Sequence, residues 1–303
     1  MTGICDRGRS APHFPKPQLD GSWKALELFK KRIPHTVAFS LEGEEMKLYE
    51  AVTRYIQNQS TRASEAGDDR RARAVGFIMA MYQRRMASST YSLKQSLIRR
   101  EKALKQLLET ASQLGEIPMP DLPSQEEWDE MDDAERETKE RELERATLAR
   151  RKPDLEIELK EIARLIEQAQ PGEDGGHEIK LSRLKAQLTE QGIFADPTQR
   201  LLLFTEYKDT LDYLVSKLKQ WGLTVGQIHG SMKPGSRDEE GSRIWAERNF
   251  WDLKTQVLVA TDAAGEGINL QCCHVLFNYD IPWNPNRLEQ RMGRIHRYGQ
   301  TKD

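Results

Sequence analysis

The sequence predicts an α/β fold, in which a parallel sheet covered by helices on both faces follows a long α-helical region. Two observations support this prediction. From residue 201 onwards, short apolar runs alternate with amphipathic segments and short loops, which is typical of a parallel sheet. Between residues 44 and 170, apolar residues recur mainly at helical spacing. The 303 residues suffice for about two domains of roughly 150 residues each.

Composition narrows the class of protein. Charged residues make up 31% of the chain, yet the net charge is only -2, so any nucleic-acid-binding surface must be local. Cys5, Cys272 and Cys273 form neither a disulfide framework nor a zinc pattern, and we predict no metal site. No apolar run approaches the roughly 18 residues of a membrane span, and no signal-peptide core is evident. We therefore expect a cytoplasmic protein without a membrane partner.

The first two predicted regions are 1–35, an irregular, proline-containing lead-in, and 36–195, which holds one strand and a series of helices. Ser124 followed by Glu127 resembles a capping box at the start of a helix. The almost uniformly charged stretch 126–151 and the amphipathic stretch 154–170 are expected to form a helical arm or hairpin that is weakly anchored at its tip. The predicted elements are a strand at 36–41, helices at 44–57, 70–111, 126–151, 154–170 and 179–191, and a flexible linker at 171–176.

Basic residues line the predicted helix 70–111, among them Arg84 and Arg85. Such residues can form an ordinary solvated helix face, or they can contact the backbone of a nucleic acid, and the sequence leaves both open. The charged arm offers a further alternative, because it can dock another protein.

The third predicted region, 196–303, contains the sheet. Its predicted strands are 201–204, 224–228, 256–260 and 274–278, and its predicted helices are 209–221, 236–249 and 285–296. Ligands bind at the carboxyl ends of parallel strands, where a Gly-rich segment, 261–267, follows the apolar run 257–259. Arg294 and Arg297 are three residues apart on one predicted helical face, so their guanidinium groups can converge on one anion.

Four segments, in this order, resemble motifs of the second RecA-like lobe of superfamily 2 helicases and translocases, specifically the Swi/Snf-like branch. They are Leu202–Tyr207, Ile228–Met232, Thr261–Gln271 and Gln290–Arg297, followed by Tyr298, Gly299 and Gln300, which are typical of that branch. The resemblance covers about residues 198–300. Residues 36–87 are also similar to the stretch that links the two lobes in bacterial members, which implies a bacterial cytosol or nucleoid.

The resemblance implies roles for individual residues. Arg294 and Arg297 match arginine fingers that stabilise charge on the γ-phosphoryl group of ATP, and Gln290 matches a residue that orients them. Glu266, Gly267 and Asn269 match the segment beside the nucleotide. Thr205 and Thr261 match positions that touch the nucleic-acid backbone, and His229 lies in the motif between them.

From the residues alone, structural roles stay open for several of these side chains: Thr261 and Asn269 can cap a turn, Gln290 can pack the closing helix, and His229 can be an ordinary strand-end histidine. Trp283 can stack on a base or wedge a loop.

Half of the machinery of such a motor is missing from this chain. It contains no Gly-x-x-x-x-Gly-Lys-[Ser/Thr] loop and no acidic magnesium motif after an apolar strand. The resemblance therefore implies a fragment of a larger ATPase, in which ATP with Mg²⁺ is held mainly by an N-terminal RecA-like lobe. Its expected partners are that lobe and nucleic acid, double-stranded DNA by resemblance. The alternatives are a non-catalytic scaffold that binds protein through the arm and a strand-separating helicase of RNA or DNA. Without the other lobe, Arg294 and Arg297 are expected to be exposed, and the chain is expected to hydrolyse no ATP.

Overall fold

A computed structural model describes residues 13–17, 23–27, 32–65, 67–110, 119–131, 133–148, 152–170, 178–262, 268–282 and 284–296 of the chain. In chain order its elements are β1 (His13–Pro17), β2 (Trp23–Glu27), α1 (Gly43–Glu65), α2 (Asp69–Ser88), α3 (Thr90–Thr110), α4 (Gln125–Glu130), α5 (Asp133–Thr147), α6 (Lys152–Gln168), α7 (Ile179–Glu190), β3 (Leu201–Phe204), α8 (Lys208–Gln220), β4 (Val225–Ile228), α9 (Arg243–Trp251), β5 (Val257–Ala260), β6 (Val275–Asn278) and α10 (Pro285–Met292).

The second half of the chain contains a four-stranded sheet in the order β4-β5-β3-β6. All of its neighbouring strands are parallel, and Leu201 at the start of β3 lies opposite Val257 on one side and Val275 on the other. Both β3 and β5 are buried at every position, as expected for central strands of a parallel sheet that is covered on both faces. The predicted fold class is confirmed.

Alternate residues of the strands supply two separate cores. Leu201 and Leu203 point to one face, where they pack with apolar residues of α7 and α8. Leu202 and Phe204 point to the other face, where α9 and the segment 268–273 cover them. This period of two is the geometry of a β-strand, and it places helices on both sides of the sheet.

The helices α1 to α6 are here called the helical unit. Five of them, α1, α2, α3, α5 and α6, form a bundle with its own apolar core. The predicted arm or hairpin at 126–170 is not weakly anchored along its described length, because α5 packs on α2, α6 packs on α3 and Leu143 is completely buried. Residues 149–151 at its tip lie outside the described residues. The acidic residues of α5 are also used inside the bundle: Glu140 accepts hydrogen bonds from Arg85, and Glu144 accepts one from the hydroxyl of Tyr82. Charge density alone does not show which acidic side chains find buried partners.

Three local predictions near the N-terminus need correction. The predicted long helix 70–111 is two helices, which are separated at Ser89. Residues 36–41 are exposed and lie outside any strand, so the predicted strand there is wrong. The lead-in holds the antiparallel pair β1–β2. Pro15 and Pro17 are compatible with β1 because residues two apart direct their backbone nitrogens to the same edge, and a two-stranded ribbon leaves one edge unpaired.

The sheet-bearing unit, here called the lobe, consists of α7 to α10 and strands β3 to β6. Because Leu181, Leu184 and Leu188 of α7 lie in the core of the lobe, the boundary between the two units falls before α7 rather than at residue 196.

Helix α9 begins at Arg243, seven residues later than predicted, and Ser242 is its N-cap. The predicted linker 171–176 lies outside the described residues. Within the described ranges, no helix is both long enough and apolar enough to cross a membrane.

Candidate functional site

The closing helix α10 begins and ends with clear local signals. The side chain of Asn284 accepts a hydrogen bond from the backbone N–H of Asn286, and Pro285 occupies the first turn, where its missing N–H costs nothing. The helix ends at Met292 and is capped by Gly293. It therefore stops before Arg294, which lies in the turn that follows. Because Arg297 lies outside the described residues, the predicted helical face shared by Arg294 and Arg297 is not seen.

Arg291 joins the closing helix to the ends of two strands through four hydrogen bonds. Its guanidinium group forms a two-pronged ion pair with Asp262, through Nε to Oδ1 and through Nη2 to Oδ2 at 2.7 Å. Nη1 donates to the side chain of Asn278 at 3.0 Å and to the carbonyl oxygen of Asp280 at 2.7 Å. Only 2% of the Arg291 side chain is exposed. This arginine therefore ties α10 to the carboxyl ends of β5 and β6.

A narrow recess lies beside this ion pair. Its lining comes from the end of β3, the end of β5, α10 and the turn after it: Phe204, Asp262, Arg287, Gln290, Arg291 and Arg294. Arg287 is a second neighbour of Asp262, with Nη1 to Oδ2 at 3.7 Å. Arg287 and Arg291 thus contact one carboxylate, and Arg294 lines the same recess, which leaves an excess of positive charge at the edge of the sheet where ligands of parallel sheets bind.

The predicted finger Arg294 lies at this recess. It is half-buried and engaged in contacts, so the expectation that it would be exposed is wrong. Its carbonyl oxygen accepts a hydrogen bond from the backbone N–H of Leu270 at 3.2 Å, which fixes the turn against the segment after β5. Gln290 also lines the recess and is exposed. The structure thus brings Gln290 and Arg294 together.

The predicted nucleotide-side residues are only partly described. Glu266 and Gly267 lie outside the described residues. Asn269 is half-buried, and its side-chain oxygen accepts a hydrogen bond from the backbone N–H of Gln271 at 3.2 Å. In addition, its own N–H donates to Glu247 and its carbonyl accepts from Trp251. The side chain of Asn269 therefore has the turn-capping role that the sequence left open.

The polar residues expected to touch a nucleic acid are buried. Thr205 is fully buried, and its hydroxyl donates to Asp280 Oδ2 at 2.5 Å. Thr261 is also fully buried, and His229 is buried at the end of β4. These side chains sit behind the surface in this structure, so direct backbone contact by the two hydroxyls is contradicted by their burial. Trp283 lies outside the described residues.

Arg85 also departs from its expected role. It is buried between the two units, where it forms ion pairs with Glu140 at 2.7 Å and Asp209 at 2.8 Å and lies over the ring of Tyr207. A guanidinium group with this many partners is not available to a nucleic-acid backbone, so both predicted alternatives for Arg85, solvated face and nucleic-acid contact, are wrong. Arg84 is half-buried and engaged in contacts.

Asp280 was not predicted as a functional residue, yet it accepts hydrogen bonds from several elements. Its carboxylate accepts from Ser88 at 2.8 Å, from Lys180 at 2.7 Å, from the Thr205 hydroxyl and from the backbone N–H of Glu206. Burial favours the neutral acid, but the charge of Lys180 and these hydrogen bonds outweigh it and lower the pKa of Asp280. The available signal was its position just after a parallel strand, as it was for Asp262.

Comparison with known proteins agrees with this geometry. Residues 180–299 match the family model described as "Helicase conserved C-terminal domain". Residues 180–299, which hold the parallel sheet and the motifs in order, are therefore similar to helicase C-terminal domains. The predicted resemblance to the C-terminal lobe of superfamily 2 helicases is confirmed.

Individual relatives cover a limited part of the chain. The "Uncharacterized ATP-dependent helicase YqhH" of Bacillus subtilis is 49% identical over 104 residues, which are 34% of this chain and 17% of that protein. The "ATP-dependent RNA helicase DBP10" of Ajellomyces capsulatus is 34% identical over 127 residues, 41% of this chain and 13% of that protein. The chain thus spans less than a fifth of the length of these relatives. Among solved structures, the Pyrococcus furiosus Hef helicase domain covers 84% of this chain, and this chain matches 50% of it, with a TM-score of 0.49 and 15% identity.

Proposed function

We propose that the lobe is the arginine-bearing half of an ATP-driven motor that translocates along double-stranded DNA. In this proposal a second, N-terminal RecA-like lobe of the parent protein holds most of the ATP, and Arg294 and Arg297 reach its γ-phosphoryl group. The observation that carries the proposal is the arginine-lined recess at the carboxyl edge of the sheet. Its place in a segment that is similar to helicase C-terminal domains supports the same reading.

The chemistry of the recess fits a phosphate group. Arg287, Arg291 and Arg294 oppose the single carboxylate of Asp262, so a bound anion would meet an excess of positive charge. The contacts with Asp262 hold Arg291 in place. Its positive charge is therefore preorganised beside the recess, and its side chain does not have to move towards the phosphate. Arg294 lies in the turn after α10. In the proposal, its side chain closes on the phosphate as the two lobes approach.

Magnesium bound to ATP would neutralise part of the phosphate charge and polarise the bond that breaks. The described residues contain no group of three or more His, Cys, Asp or Glu side chains that could hold a metal ion. In the proposal, the carboxylates that hold Mg²⁺ belong to the other lobe. The contribution of this chain is positive charge and its placement.

The test is an ATPase assay of the intact parent protein with Arg294→Ala. We expect kcat to fall by about 10³-fold while the affinity for ATP changes little, because a finger acts on charge that develops in the transition state. Arg248→Ala is a matched control, because Arg248 is an exposed arginine of the same lobe whose ion pairs lie on the surface. A parallel loss of ATP affinity and rate would contradict the finger assignment.

The same assay decides between nucleic acids. We expect double-stranded DNA to stimulate ATP hydrolysis more than single-stranded DNA or RNA does. Stimulation by RNA alone would favour the alternative of an RNA helicase, a name that some of the relatives carry. The 303-residue chain by itself is expected to bind ATP weakly and to show no turnover. Turnover by the pure chain that Arg294→Ala abolishes would contradict the proposed division between two lobes.

A further inference from the structure

A buried network of polar contacts joins the helical unit to the lobe at Asp280. On the helical side, the hydroxyl of Ser88, the last residue of α2, donates to Asp280 Oδ2. On the lobe side, Lys180 at the start of α7 donates to Asp280 Oδ1. The same Lys180 ammonium group also donates to the carbonyl oxygens of Ala87 and Ser88, at 2.8 and 2.9 Å. Lys180 therefore bridges the carboxyl end of α2, where helix carbonyls lack partners, to the carboxylate of Asp280.

The backbone of Asp280 continues this network towards the arginine recess. Its carbonyl oxygen accepts a hydrogen bond from Arg291 Nη1, and Arg291 holds Asp262 with its other two nitrogens. Arg294 follows Arg291 by three residues, in the turn that closes α10. An unbroken series of contacts thus runs from the end of α2, through Asp280 and Arg291, to the recess.

Asp280 and Arg291, the two central members of this series, are buried, which makes their positions sensitive to their neighbours. Asp280 is 8% exposed and Arg291 is 2% exposed, so neither can replace a lost partner with water at low cost. A charged carboxylate that loses Lys180 must either move towards another donor or take up a proton. Both responses disturb residues 278–280, which also carry two of the acceptors of Arg291.

We propose that Asp280 is a positioning residue, through which the docking of the helical unit on the lobe sets the placement of Arg291 and of the turn that carries Arg294. This inference rests on the proposed function for its consequence in catalysis, but its structural part does not. A displacement of the helical unit would, in this view, loosen α10 and misplace the finger. The helical unit thereby becomes a regulator of the proposed ATPase step.

Hydrogen exchange on the 303-residue chain tests the structural part without ATP. Lys180→Met removes the cation that joins α2 to Asp280, and we expect the amides of 288–293 to exchange about tenfold faster. Helix α9 lies in the same lobe and is the internal reference, with an expected change below about twofold. Lys208→Ala is the matched control, because it removes an exposed ion pair with Asp212 on α8, and should leave both regions unchanged.

Two results would overturn the coupling. Equal acceleration of α9 and α10 would mean that Lys180→Met merely destabilises the lobe, and acceleration confined to α2 and α7 would mean that the disturbance stops at Asp280. If Lys180→Met does not fold, Ser88→Ala is the milder variant, because it removes one donor to Asp280 and leaves Lys180 in place. Its expected effect is an acceleration of about threefold at the same α10 amides.

The catalytic consequence is measured in the intact parent protein. We expect Lys180→Met to lower kcat about five- to tenfold and to leave KM for ATP within about twofold, since it acts through the placement of the finger. A parent that shows no ATPase activity before substitution would count against the proposed function, while the exchange result would still stand. An active parent in which Lys180→Met leaves kcat unchanged would overturn the coupling alone.

Discussion

Two carboxylates meet at the start of α7, beneath the helical unit. Glu178 is the N-cap residue of α7, and Glu45 of α1 accepts a hydrogen bond from the backbone N–H of Ile179 at 3.1 Å. Burial raises the pKa of Glu178 to about 7, although the hydroxyl of Tyr213, the charge of Lys180 and a backbone hydrogen bond from Thr90 all lower it. Burial also raises the pKa of Glu45, and the charge of Glu45 raises that of Glu178 further. At neutral pH the carboxyl of Glu178 is therefore close to its pKa and only partly ionised.

The raised pKa of Glu178 predicts how stability depends on pH. The folded value is about 7 against an ordinary value of 4.5, so the folded state binds more protons and stability falls as pH rises between these two values. Glu178→Gln removes the charge, and we expect it to raise the free energy of unfolding by about 1–3 kcal/mol at pH 8 and to change it little at pH 4.5. Urea unfolding at both pH values measures the difference. Glu190→Gln, at the exposed end of the same helix, is the control, and an equal gain at both pH values would contradict the prediction.

At the scale of elements, the sequence predicts best the positions of those strands that form because their residues are buried. The predicted strand 201–204 coincides with β3, and β4 to β6 were placed within one residue, because short apolar runs between loops suit central parallel strands. The segment 36–41 also has a strand-like sequence but lies exposed, because a strand also needs a neighbour that its own sequence does not specify. The closing helix was predicted four residues too long, since the Gly293 cap that ends it is a single-residue signal.

The capping box of α4 is a prediction that the structure confirms. The Ser124 hydroxyl accepts from the backbone N–H of Glu127 at 3.1 Å, and the Glu127 carboxylate accepts from the backbone N–H of Ser124 at 2.7 Å. The short helix α4 places Trp128 edge-on against Phe77 of α2, with ring centroids 5.1 Å apart. A helix of six residues depends strongly on its cap, because it has little internal stabilisation.

Loss of that cap is therefore expected to act locally. Ser124→Ala should destabilise α4 by about 1 kcal/mol, which increases hydrogen exchange of the amides 128–131 by about fivefold. The exposed Glu126→Ala in the same turn keeps both hydrogen bonds of the box and should have a smaller effect. A similar increase in both variants would show that the first turn responds to helix propensity or charge rather than to the cap.

At the scale of the whole molecule, charged side chains join the helical unit to the lobe. Asp209 near the start of α8 pairs with Arg85 of α2 at 2.8 Å and with Arg99 of α3 at 2.9 Å. Burial would lower the pKa of Arg85, but the charges of Glu140 and Asp209 outweigh it and raise the pKa. Gln290 and Arg294 of the arginine-lined recess could be predicted from their motif, whereas this interface could not. A basic stripe on a helix does not reveal which of its residues will meet a carboxylate 124 positions away.

These pairs predict that the two units unfold together and that one substitution can separate them. Asp209→Asn leaves Arg85 paired with Glu140 but removes the ion pair of Arg99 with α8, so it weakens the interface between the units rather than either core. We expect it to weaken docking by about 1–3 kcal/mol and to split a single calorimetric transition into two, with the helical unit melting first. Asp212→Asn, one turn along α8 and paired with exposed Lys208, should keep a single transition. A different result is that both variants melt in one step at the same temperature as the wild type. It would mean that the apolar contacts between α3 and α8 hold the units together, and that the ion pairs only fix how the helical unit is positioned on the lobe.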